Sequence, residues 1–86
     1  MKNYWIKKRN RKKQFILLYN LDAQAQPVLL VQEELVGAVF TWVATNPTVV
    51  HGVVLVDGNM DILYQQWGML YIMAAGDTIR LDFSFA

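Results

Sequence analysis

The residues with catalytic potential are too few and too scattered to form a catalytic centre. His51 is the single histidine, it sits inside an apolar run, and the chain contains no cysteine. Nucleophilic catalysis needs a nucleophile and a base in a recognisable arrangement, and a zinc site usually needs several Cys or His ligands. We therefore interpret His51 as a core or interface residue. We predict that the protein is not an enzyme and that it has no metal site, cofactor or small-molecule substrate.

Two acidic motifs also have simpler interpretations than chemistry. Residues 57–61, Asp-Gly-Asn-Met-Asp, begin like a calcium loop, but Ile62 and Gly68 stand where that loop requires glycine and glutamate. Asp-Gly is instead a strong hairpin signal. Glu33 and Glu34 are adjacent, so in a strand they point to opposite faces and cannot converge on one substrate. We interpret them as a solvated or arm-binding acidic spot.

The strongest functional signal is a basic arm, residues 1–13. Seven of the eight Lys and Arg residues lie there, and all seven acids follow it. The arm carries a charge of +7, whereas residues 14–86 have one cation and seven acids, a net charge of −6. Lys and Arg clusters bind phosphates without reading sequence, and aromatic side chains can stack on bases. The candidate contacts to an anionic partner or nucleic acid are Lys2, Lys7, Lys8, Arg9, Arg11, Lys12 and Lys13, with Tyr4 and Trp5 as stacking or interface residues.

The remaining chain is poor in charge and rich in apolar residues. The protein is 55% hydrophobic and only 17% charged, whereas the surface of a small soluble domain carries about 25–35% charge. Large exposed apolar patches mark contact sites, and natural edge strands are usually guarded by lysine, which is absent after residue 13. We expect this surface to be covered by other subunits. Further candidate interface residues are Trp42, Tyr64, Trp67 and Tyr71.

Turn residues divide the body into six or seven short strands. Residues 28–31 and 48–56 are continuous apolar runs, typical of strands buried on both faces. Residues 78–85 alternate strictly between apolar and polar, as in a half-buried strand. The predicted strands are 14–20, 28–31, 48–56, 60–66, 69–73 and 78–85, with a further one within 33–45.

The segment 33–45 is ambiguous. Two glutamates in a first turn and a stop at Asn46-Pro47 fit a helix, whereas its β-branched and aromatic residues and Gly37 favour a strand. We favour the strand. The predicted fold is all-β, a small antiparallel β-sandwich or jelly-roll-like barrel (residues 14–86) behind an extended basic N-terminal arm (residues 1–13). An α+β fold with one helix near 33–45 is the alternative.

Targeting segments are not expected. The longest charge-free run, 35–56, is interrupted by Asn46-Pro47, which argues against a membrane span. The arm and residues 15–21 resemble a signal peptide, with Ala23-Gln24-Ala25 as its cleavage site, but the apolar run is minimal and contains Asn20. We therefore expect a protein that is neither secreted nor membrane-bound, located in a virion or the cytoplasm.

These features predict a structural protein, a subunit of a large homo-oligomeric particle such as a viral or phage capsid, cement (decoration) or fibre-type component. Its partners would be copies of itself or other shell proteins, and the arm would clamp a neighbouring subunit or packaged nucleic acid. One alternative is a small nucleic-acid-binding β-barrel. Another is a small inhibitor or accessory protein that binds one partner through a strand edge.

Overall fold

The computed structural model describes residues 13–83 as an all-β body. The strands are β1 (Gln14–Leu21), β2 (Pro27–Glu34), β3 (Val39–Val43), β4 (Thr48–Asp57), β5 (Ile62–Met73) and β6 (Thr78–Asp82). The predicted arm residues before Lys13, and the predicted strand end at 84–85, lie outside the described residues.

The strands form two antiparallel sheets. The large sheet has the order β2-β1-β4-β5, and the small sheet is β3-β6. Both contribute to one core, in which Ile16, Leu18 and Leu55 of the large sheet pack with Phe40 and Ile79 of the small sheet. We call the face of the large sheet that carries this core the inner face. The prediction of a small antiparallel all-β fold is confirmed.

The strand β4 is buried on both faces, as predicted. Val53 and Leu55 belong to the inner core, whereas Val54 and Val56 form a second buried cluster with Leu17 on the outer face. Strands β1 and β4 lie side by side at the centre of the large sheet. Full burial of one such side chain contributes about 1.5–3 kcal/mol, so these two strands carry much of the stability.

The prediction that residues 28–31 are buried on both faces is wrong. They belong to β2, an end strand of the large sheet, where Val28 and Leu29 are 43% and 48% exposed. Val31 is buried in the core. A continuous apolar run does not distinguish a central strand from an end strand, because both strand types occur with the same local composition.

The segment 33–45 contains no helix, in agreement with the favoured strand. It is interrupted, however: β2 continues through Glu34, a turn follows with Gly37 at φ +78°, and β3 begins at Val39. Glycine adopts a positive φ without the steric penalty of a Cβ atom. The chain thereby passes from the large sheet to the small one.

The two strands predicted at 60–66 and 69–73 are a single strand, β5. Gly68 has a φ of +83° and marks an irregularity inside the strand rather than its end. Trp67 packs on Tyr19 of the outer face, whereas Met69 packs against the inner core. In a regular strand residues 67 and 69 would share a face. Here a β-bulge interrupts the ladder, because His51 alone of β4 lies opposite residues 68–70, between the pairs Gly52–Trp67 and Val50–Tyr71.

The alternating pattern predicted for the last strand is confirmed for its described part. Ile79 is buried, Leu81 is half-buried, and Arg80 and Asp82 share the exposed face. A nitrogen of Arg80 lies 3.2 Å from the Asp82 carboxylate. Such an exposed ion pair contributes at most about 1 kcal/mol.

Candidate interaction surface

The most unusual feature of the body is the amount of apolar surface that it exposes. Among residues 13–83, fourteen hydrophobic residues are buried, and thirteen large hydrophobic ones are at least 40% exposed. Seven of those thirteen lie on β5. They are Ile62, Leu63, Tyr64, Trp67, Leu70, Tyr71 and Ile72.

The strand β5 is also an open edge. Within residues 13–83 it pairs with β4 on one side and with no strand on the other. Its twelve residues include no charged residue and no proline. An end strand of this kind presents unpaired backbone N–H and C=O groups, which are a template for pairing with another chain.

Contacts within the body define which face each β5 side chain occupies. On the inner face, the Tyr64 ring packs edge-on against Phe83, and its hydroxyl donates to Gln66 Oε1 at 2.7 Å. The Tyr71 hydroxyl donates to the Thr78 carbonyl at 3.3 Å. On the outer face, Trp67 Nε1 donates to Gln65 Oε1 at 3.1 Å. These bonds satisfy the polar ends of the aromatic side chains and fix them along the strand.

Trp67 is held in place by the strand beside it. Its ring lies over Gly52 of β4, where a Cβ atom would come within 2.3 Å of Trp67 Cε3. The ring centroids of Trp67 and Tyr19 are 5.4 Å apart, a distance at which aromatic pairs attract. Gly52 therefore provides the space for a flat aromatic patch on the outer face.

The predicted acidic spot lies where the basic arm joins the body. Lys13 immediately precedes β1, whose first residues pair with Asp57 of β4 and with Glu34 and Glu33 of β2. Asp61 is in the same turn as Asp57 and bonds to it. Four of the seven acids thus lie at the end of the large sheet from which the arm emerges. Their field attracts cations and opposes nearby phosphates.

Residues 57–61 form a hairpin turn, as predicted, and residues 22–26 form the same turn. In each, the leading aspartate Oδ1 accepts two backbone N–H bonds, from the second and fourth residues after it, at 2.8–3.0 Å. In each turn, the residue three positions after the aspartate has a positive φ, which is 61° at Ala25 and 67° at Met60. Asp57 Oδ1, the first oxygen that a calcium loop would supply, is therefore used within the turn itself.

His51 is half-buried and has a structural contact. Its Nδ1 lies 2.9 Å from Asn20 Oδ1 and 3.3 Å from the backbone nitrogen of Leu21, which links β4 to β1. In the part of the chain that the structure describes, no three His, Cys, Asp or Glu residues are grouped so as to hold a metal ion. Between residues 13 and 83, no helix is long and apolar enough to cross a membrane.

The structure brings some of the predicted interface residues together and separates others. Tyr64, Trp67 and Tyr71 are exposed on β5, whereas Trp42 of β3 is half-buried against the core. Leu63, Leu70 and Ile72 are further exposed residues of β5 that were not among the predicted interface residues. The signal that could have identified them is the uncharged run from residue 62 to residue 73, which was divided at Gly68.

Comparison with known proteins identifies no relative of this chain. No protein-family model matches it, and no curated protein or solved structure shows significant similarity to it.

Proposed function

We propose that this protein is a structural subunit of a homo-oligomeric assembly. The observation that carries the proposal is the number of exposed apolar side chains, because the described body exposes thirteen large ones and buries fourteen hydrophobic residues in all. Exposed apolar patches of this extent mark protein contacts in soluble proteins. Each exposed side chain that a neighbouring subunit covers contributes on the order of 1 kcal/mol, so a few of them support association.

The basic arm supplies a second contact in this proposal. Its cations would bind the acidic end of a neighbouring body, where Glu33, Glu34, Asp57 and Asp61 lie. A contact between an arm of +7 and a body of −6 needs no base-reading geometry, and it would weaken as salt screens the charges. Packaged nucleic acid is the other anionic partner that the arm could bind.

A nucleic-acid-binding barrel is less well supported by the described body. Residues 13–83 contain two cations, Lys13 and Arg80, and Arg80 is paired with Asp82. Grooves that bind single strands are lined with positive charge and stacking aromatic side chains. The aromatic residues of β5 lie in an uncharged strand, so they lack the neighbouring positive charge that such a site needs.

The narrower form of the proposal is a viral or phage capsid, cement or fibre component. It is supported by analogy, because double-sheet β folds are common in capsid proteins and a basic arm on such a body suits a shell subunit. Fold alone does not imply function. The assembly is therefore the primary proposal, and the virion is its specific version.

The test is the mass of the full-length protein in solution, measured by light scattering before and after nuclease treatment. We expect a homo-oligomer that survives nuclease, and that loses arm contacts as the salt concentration rises. A matched variant, Lys7→Gln/Lys8→Gln/Arg9→Gln, should reduce the salt dependence. A protein that stays monomeric at high concentration would contradict the proposal. A protein that becomes large only with nucleic acid would favour the binding module.

A further inference from the structure

We propose that the outer edge of β5 pairs antiparallel with β5 of a second copy, which joins two large sheets into one continuous eight-stranded sheet. This inference rests on the proposed function and specifies its contact surface. The occupant is a second copy rather than another protein, because β5 is complementary to itself in three respects: charge, sequence and the faces of its side chains.

The first respect is charge. Two identical surfaces always bring like charges together around their symmetry axis, and like charges directly opposite in a sheet are destabilising. The twelve residues of β5 contain no charge, so self-pairing of this strand brings no like charges into register. The other end strand of the large sheet, β2, ends in Glu33 and Glu34. Charge therefore stands on the β2 edge and opposes pairing there.

The second respect is the order of residues in the strand. Counted outward from the bond between Trp67 and Gly68, the fourth residue in each direction is a tyrosine, Tyr64 or Tyr71. Between them and the bond, the third residue is Gln65 or Leu70 and the second is Gln66 or Met69. A two-fold axis at this bond places each residue opposite the one equally far out in the other direction. Tyrosine would then face tyrosine. The register ends at the tyrosines, because Ile62 pairs with Val56 of the outer cluster whereas Met73 is buried in the inner core.

The third respect is the bulge at Gly68, which makes this register possible. Directly paired residues of antiparallel strands project on the same face. In a regular strand, Tyr64 and Tyr71 are seven positions apart and would project on opposite faces. Here both lie on the inner face, as their contacts with Phe83 and with the Thr78 carbonyl show. The irregularity at Gly68 therefore restores agreement between the two halves of the strand out to the tyrosines. A second irregularity lies beyond Tyr64, between the pairs Leu55–Tyr64 and Val56–Ile62.

The same agreement holds for the next pairs toward the centre. Gln66 shares the inner face with Tyr64, and Met69 packs against the inner core, so these two positions would pair on one face. Gln65 lies on the outer face with Trp67, and Leu70 alternates with its inner-face neighbours and is 71% exposed. Bulges can protect an edge from pairing, but β5 lacks the other protections, which are charge, proline and short length.

The expected strength follows from the size of the contact. Standard interfaces involve about 20–30 residues on each side, whereas β5 offers twelve. We therefore expect a dimer that dissociates on dilution. A two-fold contact is also closed, so a larger particle would need the arm or another surface in addition.

The first experiment compares two double-lysine variants of the full-length protein by sedimentation over a dilution series. Leu70→Lys/Ile72→Lys changes two β5 residues that are each 71% exposed, so the fold should persist, as circular dichroism will check. We expect the dissociation constant to rise at least ~10-fold, because lysine on an edge strand opposes its pairing with another strand. Val28→Lys/Leu29→Lys adds the same charge to β2 and should leave the dissociation constant within about twofold of the wild-type value.

The second experiment tests the register by cross-linking, which the cysteine-free chain makes straightforward. Gln65→Cys/Leu70→Cys should form an intermolecular disulfide dimer on mild oxidation, because residues 65 and 70 face each other across the proposed axis. The control Val36→Cys/Met60→Cys places two exposed cysteines outside β5 and should cross-link far less.

The outcomes separate this inference from the proposed function. An oligomer that is unaffected by the β5 lysines, or is disrupted by the β2 lysines instead, would overturn β5 pairing and leave the assembly standing. A dimer without the 65–70 disulfide would overturn the register proposed here. A wild-type protein that is monomeric at all concentrations would overturn both proposals.

Discussion

The two end strands of the large sheet differ in how well they are protected against pairing with another chain. The strand β2 begins at Pro27, which has no N–H to donate, and it ends with Glu33 and Glu34. The strand β5 is half as long again and has no proline or charge. Both leave large apolar side chains exposed. Residues that hinder edge pairing are therefore present on the β2 edge of the sheet and absent from β5.

This difference shows that apolar exposure and availability for pairing are separate properties. Val28 and Leu29 of β2 are exposed to about the same extent as Leu63 and Tyr64 of β5. Charge and proline near the former hinder edge-to-edge association, and nothing comparable protects the latter. The following predictions test that contrast, beginning with the largest expected effect.

Removal of the charges from β2 should convert a closed contact into an open one. In Glu33→Val/Glu34→Val both end strands of the large sheet would be unguarded, so pairing could continue from copy to copy and produce polymers or precipitate. The measurement is light scattering against time at constant protein concentration. Adding Leu70→Lys/Ile72→Lys to this variant should limit growth again. Unlimited polymers in that combination would contradict the roles assigned to the two edges.

Gly52→Ala should destabilise the side of the sheet on which β5 lies. A Cβ atom there would overlap the Trp67 ring, and overpacking of this kind costs about 1–3 kcal/mol. We expect a loss of about 2 kcal/mol in the free energy of unfolding, measured with urea, and a red-shifted tryptophan emission.

The coupling between the two residues provides the control for this variant. Trp67→Ala should remove most of the penalty of Gly52→Ala, so the double variant should be less destabilised than the two single effects predict. Additive effects would show that the Trp67 ring is not what the new methyl group meets.

Gly68→Ala should have a smaller effect that is specific to the bulge. At φ +83° an alanine is strained by about 1 kcal/mol, although nothing lies within 4 Å of a Cβ atom at that position. Gly58→Ala is a matched control, because its Cβ atom would also have open space and its φ is not in the left-handed region. Equal unfolding free energies for the two variants would argue against a strained bulge.

The smallest expected effect is a gain in stability at the two similar turns. Ala25 and Met60 both adopt a positive φ, so Ala25→Gly and Met60→Gly should each relieve strain and stabilise the protein by about 0.5 kcal/mol. Thermal unfolding should show similar shifts for both. A gain at one turn and a loss at the other would contradict their equivalence.

Local patterns predicted the strands well, and they could not predict the neighbours of each strand. The alternation around Arg80 and the continuous run around Val54 identified β6 and β4, because side-chain periodicity reports burial. The exposure of Val28 depends on the strand order, which comes from contacts distant in sequence. Local sequence predicts a break between strands at Gly68, because glycine is common both in turns and in bulges.

The candidate surface was predictable only in part for the same reason. Tyr64, Trp67 and Tyr71 were recognised as aromatic residues suited to an interface. Leu70 and Ile72 gained significance only when β5 proved to be an end strand. The low charge of the body predicted a contact surface, but the choice between the two edges required the strand order.

The strand order also has a consequence for the time course of folding. The hairpins β1–β2 and β4–β5 each close through a five-residue turn, whereas β1 and β4 meet through pairs such as Leu18 and Val53, 35 residues apart. Local hairpins form in microseconds, and distant pairing is slower. Until β1 pairs with β4, the β4–β5 hairpin has two unpaired edges instead of one. Dilute conditions should therefore favour correct folding, because newly made chains compete with β1 for the same strand.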